Sequence, residues 1–144
     1  MKKGFTLVEL LIVMTIIGVL AALGLGNFMT TQMKGRDAQR KADLKQVSNA
    51  LELYFSDHGQ YPNSIAFGAE FTDSKTVYFK VLPTDPSPNA NYVYRLVPSS
   101  SNQKYQLFAK LENSQDQDKI TTTYSCGGAN CNYAVTSANT SATE

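Results

Sequence analysis

Histidine, cysteine and net charge are all scarce in this chain, and each scarcity closes a class of function. The only histidine is His58, so any Ser-His-Asp set would depend on it. It sits beside Gly59 at an expected helix end, where a histidine commonly serves the cap and the dipole. A glycine-rich nucleotide loop is also missing, and catalysis is not expected. Two cysteines and one histidine cannot supply a four-ligand zinc site, and no cofactor is implied. A net charge of +1 lacks the basic excess of a dedicated nucleic-acid binder. Internal repeats are absent. Ionisable groups are nearly missing from one whole stretch: from Phe5 to Met29 the only one is Glu9.

That stretch organises the chain. At 1.5 Å per residue, Phe5 to Leu25 makes a helix about 31 Å long, enough to cross a bilayer core. A lone carboxylate near its start costs about 2.5–3.5 kcal/mol in hydrocarbon and asks for a partner that this helix lacks. The plain reading puts Glu9 at the headgroup boundary, reaching into water. An ordinary secretory signal has a shorter apolar core followed by its cleavage site. Cleavage after Ala22 would release a soluble protein, and an uncleaved anchor is the simplest alternative, but both leave Gly4-Phe5 unexplained.

Gly4-Phe5-Thr6-Leu7-Val8-Glu9, preceded by Lys2-Lys3 and followed by an apolar helix, resembles the start of type IV prepilins and type II secretion pseudopilins. The resemblance implies that residues 1–4 are a leader, cut after Gly4 by a prepilin peptidase. It implies that Phe5 is then N-methylated and that the chain joins other copies of itself in a filament, on an inner-membrane assembly platform. Residues 5–29 would lie in the lipid bilayer first and in the filament core afterwards. The chemistry is coherent. A freed Phe5 amine, with an unperturbed pKa of about 7.7–8, is mostly cationic. The amine of one subunit set against Glu9 of a neighbour would cancel two unfavourable charges and fix register.

No proline interrupts 34–55, and Leu44, Val47, Leu51 and Tyr54 recur at helical spacing. One helix is therefore expected over 5–58, ended by Gly59 and Pro62. Gly18, Gly24 and Gly26 are its soft points, about 1 kcal/mol each relative to alanine. Arg36, Arg40, Lys41 and Lys45, with Lys34, could contact lipid headgroups, DNA or acidic neighbours. A solvated face, with an Asp37–Lys41 pair, is the preferred reading. A positive-inside count of these residues would place the C-terminal side in the cytoplasm, whereas the resemblance and the cysteines place it outside.

The head, 59–144, reads as loops and strands. Strands are expected over 76–82, 91–97 and 104–111, with a last one at Tyr133-Ala134-Val135 and a hairpin loop over 98–102. Leu82-Pro83-Thr84-Asp85-Pro86 resembles a segment that follows the helix in pseudopilins. Tyr105, Leu107, Ala109 and Leu111 would face the helix. Asp116 and Asp118 could join a calcium loop of the kind some pseudopilins use, but two carboxylates fall short of six to eight oxygens, and an exposed loop is preferred. Cys126 and Cys131 suit a disulfide in an exported head. A tail from about 136 is expected to fray.

The fold expected is α+β: a long N-terminal helix, membrane-spanning in its first half and amphipathic in its second, packed on a small antiparallel sheet as in pilins. The function expected is a structural subunit of a type IV pilus or pilus-like filament, serving adhesion, motility, DNA uptake or protein secretion. It would sit in the inner membrane before assembly, with the head outside. The alternatives are a type II secretion pseudopilin, a monomeric membrane-anchored binding or adhesin module, and a secreted soluble enzyme.

Overall fold

The computed structural model describes residues 4–98 and 100–143, without the side chains of 23–27. Lys2 and Lys3 of the expected leader, and Ser99 in the expected hairpin loop, lie outside the described residues.

A single helix, α1 (Leu7–His58), takes up 52 residues. At 1.5 Å per residue it is about 78 Å long. Its ends are built from side-chain chemistry. Thr6 is the N-cap and forms a capping box with Glu9, and Gly59 ends the helix in the left-handed conformation at φ 68°. The Gly59 N–H donates to the Phe55 carbonyl at 2.8 Å.

Among the described residues, five strands follow in two sheets. β1 (Phe71–Thr72) and β2 (Val77–Phe79) form an antiparallel pair. β3 (Val93–Leu96), β4 (Tyr105–Ala109) and β5 (Tyr133–Thr136) form an antiparallel sheet in that order, β4 central. Leu96 is opposite Tyr105, and Leu107 is opposite Val135. The strand expected over 76–82 therefore leaves the main sheet and pairs with residues 71–72, which read as loop in the sequence.

The core forms where the second half of α1 lies on the sheet. Leu44, Val47 and Leu51 are fully buried against Tyr105, Leu107 and Ala109. Gln106 and Phe108, on the opposite face of β4, are also fully buried. A second layer covers them. Phe108 packs with the Cys126–Cys131 disulfide, Tyr124 and Ala134, and the Gln106 amide donates to the Ser141 carbonyl at 2.7 Å. The residues beyond Thr136, expected to fray, turn back over this face. Ser137 is buried, and its hydroxyl accepts from the Tyr105 N–H at 3.3 Å.

The solvated-face reading of the helix cations is corrected by the structure. Arg40 is 1% exposed. It bonds Asp85 twice at 2.8 Å, and also Asp37 and Ser87, each at 2.8 Å. Glu112 lies 2.9 Å from it and also takes the Arg36 guanidinium. Lys41 does not pair with Asp37. Its ammonium reaches Asp116 at 2.8 Å and Asp118 at 2.6 Å. The physical reason is long-range: the loops carrying Asp85, Glu112 and Asp116 fold onto the polar face of α1 and supply carboxylates for Arg36, Arg40 and Lys41, while Lys34 and Lys45 stay exposed as expected.

Candidate functional site

The first turn of α1 holds the residues singled out in the sequence. Nothing approaches within 4 Å of a Cβ placed on Gly4, and Phe5 is 76% exposed, so the Gly4–Phe5 bond is open to solvent. Glu9 folds back on the helix start. Its Oε2 accepts from the Thr6 N–H at 2.9 Å and the Thr6 hydroxyl at 2.6 Å, while the Glu9 N–H donates to Thr6 Oγ1 at 3.3 Å. Both bonds fall on Oε2, and Oε1 accepts none among the described residues. Thr6 was legible as the start of a Thr-x-x-Glu capping box, a signal overshadowed by the search for a cation.

Beyond this turn the helix carries a bare apolar surface. From Leu7 to Leu20 the large apolar side chains are between 44% and 79% exposed, and Phe28 and Met29 are 61% and 70% exposed. Among the described residues no helix is long and apolar enough to cross a membrane. The described apolar part, Leu7 to Ala22, is about 24 Å of helix, short of a hydrocarbon core of about 30 Å. The apolar run continues into residues 23–27, whose side chains are not described.

The head supplies the other marked residues. Cys126 and Cys131 are joined in a disulfide with Cα atoms 5.1 Å apart, and both are 1% exposed. Gly127, at φ 88°, has no room for a Cβ, which would strike the Asn89 carbonyl oxygen. The disulfide loop is thereby pressed against the loop that carries Asp85 and Ser87. Asp116 and Asp118 are brought together, but around the Lys41 ammonium. Among the described residues no group of three or more His, Cys, Asp or Glu side chains could hold a metal ion.

Electrostatics at the helix–head junction follow from these contacts. Arg36, helped by Arg40 and Ser87, pulls the Glu112 carboxyl down to about 2, against the effect of burial. Burial opposes the charge on Arg40, yet the bonds to Asp85, Glu112 and Asp37 outweigh it and hold its pKa above the ordinary arginine value. Burial raises Asp43, whose Oδ2 accepts from the Tyr92 hydroxyl at 2.7 Å. Sequence reasoning missed Asp85 as the partner of Arg40. The only signal was its place in Leu82-Pro83-Thr84-Asp85-Pro86, where two prolines pin the loop.

Comparison with known proteins bears on both halves. The family model for the prokaryotic N-terminal methylation motif matches residues 1–25. The family model for the type IV minor pilin ComP, DNA uptake sequence receptor, matches residues 27–130. The chain is 31% identical over 119 residues to type II secretion system core protein G of Escherichia coli, covering 75% of this chain and 80% of that protein. It is 33% identical over 100 residues to core protein G of Pseudomonas aeruginosa, covering 61% and 70%. The match to the type IV major pilin protein PilA of Myxococcus xanthus is 39% over 72 residues, covering 48% of this chain and only 33% of that protein. No solved structure gives a significant match.

Proposed function

The chain belongs to the family of type IV pilins and type II secretion pseudopilins, and from that membership we propose that it is a filament subunit assembled through the N-terminal half of α1. The observation that carries the proposal is a bare apolar rod with one carboxylate in its first turn, next to an accessible Gly4–Phe5 bond. Prepilin peptidase removes residues 1–4, and Phe5 becomes a methylated, cationic terminus. The run over 5–29 keeps the subunit in the inner membrane, head outside, until the assembly platform draws it into the filament. While it waits, the two Thr6 bonds satisfy Glu9 Oε2 and soften the cost of its charge. On assembly, the open Oε1 accepts the Phe5 amine of a neighbouring copy. Relative to water, burial among other helices stabilises each large apolar side chain by about 1.5–3 kcal/mol, whereas relative to lipid the gain comes from side-chain packing.

A secretion pseudopilus is the second reading. It is favoured by the protein G matches, which extend over 75% of the chain where the PilA match covers 48%. The buried Leu82 and the Asp85 bonds give the shared Leu-Pro-x-Asp-Pro segment a structural role in this head. DNA uptake is the weaker assignment, because Arg36, Arg40 and Lys41 are all committed to carboxylates of the same chain.

Intact-mass analysis of the mature chain should begin at methylated Phe5. Retention of Met1 would favour a monomeric anchored module, and loss of the whole apolar run would favour a secreted soluble protein. Glu9→Leu should leave the subunit in the membrane fraction and give few or no sheared filaments. A normal filament yield would overturn the charge-pair mechanism.

A further inference from the structure

The carboxylates of this chain are nearly all spent on its own groups. Asp37, Asp85, Glu112, Asp116 and Asp118 hold cations of α1, and Asp73 lies against His58. Glu9, Asp43, Glu52 and Asp57 accept from hydroxyls. Among the described residues that leaves Glu70 as the one carboxylate with neither a hydrogen bond nor an ion pair, and its side chain is exposed. The backbone on either side of it is fixed. The Leu82 N–H donates to the Ala69 carbonyl at 2.8 Å, and Phe71 is buried and stacked on Tyr54.

The opposite arrangement occurs beyond the end of β4. Lys110, Lys119, Thr121 and Asn130 line a cleft of about 290 Å³. All four side chains carry N–H or O–H donors, and among the described residues none of them has a side-chain hydrogen bond or ion pair. Lys119 feels Asp116, but that carboxylate is already bonded to Lys41. The wall of the cleft is fixed. The Thr122 hydroxyl donates to the Cys131 carbonyl at 2.8 Å. The Asn132 amide accepts from the Leu111 N–H at 2.6 Å and donates to the Leu111 carbonyl at 3.0 Å. Two ammonium groups and two neutral donors, converging on one cleft without an acceptor of their own, suit a carboxylate.

The lone acid and the donor cleft lie apart within one head. Phe71, next to Glu70, packs at Tyr54, whereas the loops flanking the cleft are held at Lys41 by Asp116 and Asp118 and at Arg36 by Glu112. From Lys41 to Tyr54 is about 20 Å of helix. A second copy displaced along the axis brings the two together. We propose that the cleft of Lys110 and Lys119 receives the Glu70 carboxylate of a neighbouring copy. A contact between two different patches is heterologous, and where its rotation does not close it propagates as a helical filament. The contact rests on the filament reading, and adds to it a register set by the heads. An exposed pair is weak by itself, but a filament repeats it at every subunit.

The test measures filaments sheared from cells that make the full chain, against the amount of chain in the membrane fraction. Glu70→Lys should lower the filament yield at least several-fold, and so should Lys110→Glu/Lys119→Glu. Combining all three should return most of the yield, because the contact is restored with its charges exchanged. Each detergent-solubilised variant should keep the natural melting temperature, which separates a lost contact from a lost fold. A second measurement avoids charge reversal. The natural chain has no free cysteine. Mild oxidation of filaments carrying Glu70→Cys and Lys119→Cys together should give a ladder of linked subunits on nonreducing electrophoresis, whereas either single variant should give no ladder. Natural yield in Glu70→Lys, or doubly substituted filaments without a ladder, would overturn the contact and leave the filament reading standing. A natural chain that forms no filaments would overturn both.

Discussion

Replacing Arg40 by methionine tests whether the helix and the head are held together by charge. Methionine keeps much of the volume and removes every polar contact. Arg40 is 1% exposed, and its removal takes the guanidinium from Asp85, whose side chain is 0% exposed and keeps the Ser87 N–H at 2.8 Å, and from Asp37, at 3%. Deleting one partner of a buried ion pair costs about 3–5 kcal/mol, because the other charge stays buried without compensation. The lower end applies here, since Asp37 keeps two backbone donors, Glu112 N–H at 2.9 Å and Asn113 N–H at 2.8 Å. Glu112 also keeps Arg36. Against a typical domain stability of about 5–15 kcal/mol, a loss of about 3 is large. At about 4 °C per kcal/mol, the value where the ranges for smaller and larger domains meet, the melting temperature should fall by about 12 °C. The assay is thermal unfolding of the full chain in detergent, followed by near-ultraviolet tyrosine dichroism, which eight tyrosines and no tryptophan make readable. Lys45→Met, on an exposed position of the same helix, is the control and should shift stability by no more than about 0.5 kcal/mol. The double variant Arg40→Met/Asp85→Leu should recover part of the loss, because it removes the stranded anion as well. A cost below about 1 kcal/mol for Arg40→Met, the range of exposed pairs, would refute the reasoning, as would simple additivity in the double variant.

Three further outcomes are expected. Glu112 is held at about 2 in the folded head against an ordinary 4.5. Its contribution is therefore present above about pH 4.5 and is lost as the pH falls toward 2, so acid unfolding should be shallower in Glu112→Gln. Replacing both Cys126 and Cys131 by alanine opens a small loop, with the cysteines 5 positions apart, and should cost about 2 kcal/mol by equilibrium denaturation, while filaments still form if assembly belongs to α1. Calcium or a chelator should leave the melting temperature unchanged, because the Lys41 ammonium already lies within 3.0 Å of three Asp116 and Asp118 oxygens. A calcium-dependent rise would show that the ammonium can be displaced.

Much of this molecule is local, and local features can be read from a string of residues. The helix was legible because Gly59 and the 3-4-3 spacing of Leu44, Val47, Leu51 and Tyr54 are near-neighbour signals; the Thr6 cap, equally local, was overlooked, and the helix starts at Leu7 rather than at Phe5. The strands over 93–96 and 105–109 were legible because side chains alternate at period two. The first turn stood out because a single carboxylate in an apolar run is conspicuous without any fold at all. What stayed hidden were contacts between residues far apart in the chain. Arg40 and Lys41 read as solvated because nothing nearby in sequence could neutralise them. Their partners lie 45 and more positions away, and only the path of the loops brings them in. Gln106 read as an outward residue of a half-buried strand, until the tail and the disulfide layer covered that face.

The amino-acid sequence by itself determined a long capped helix, an unaccompanied acid in its first turn, and a head of short strands, since propensity, capping and hydropathy act over a few residues. Only the tertiary structure decided where the charges of α1 go and which carboxylate is left unpaired. Those pairings follow from the closure of long loops and the burial of both faces of β4, and neither is encoded in any one stretch of the chain.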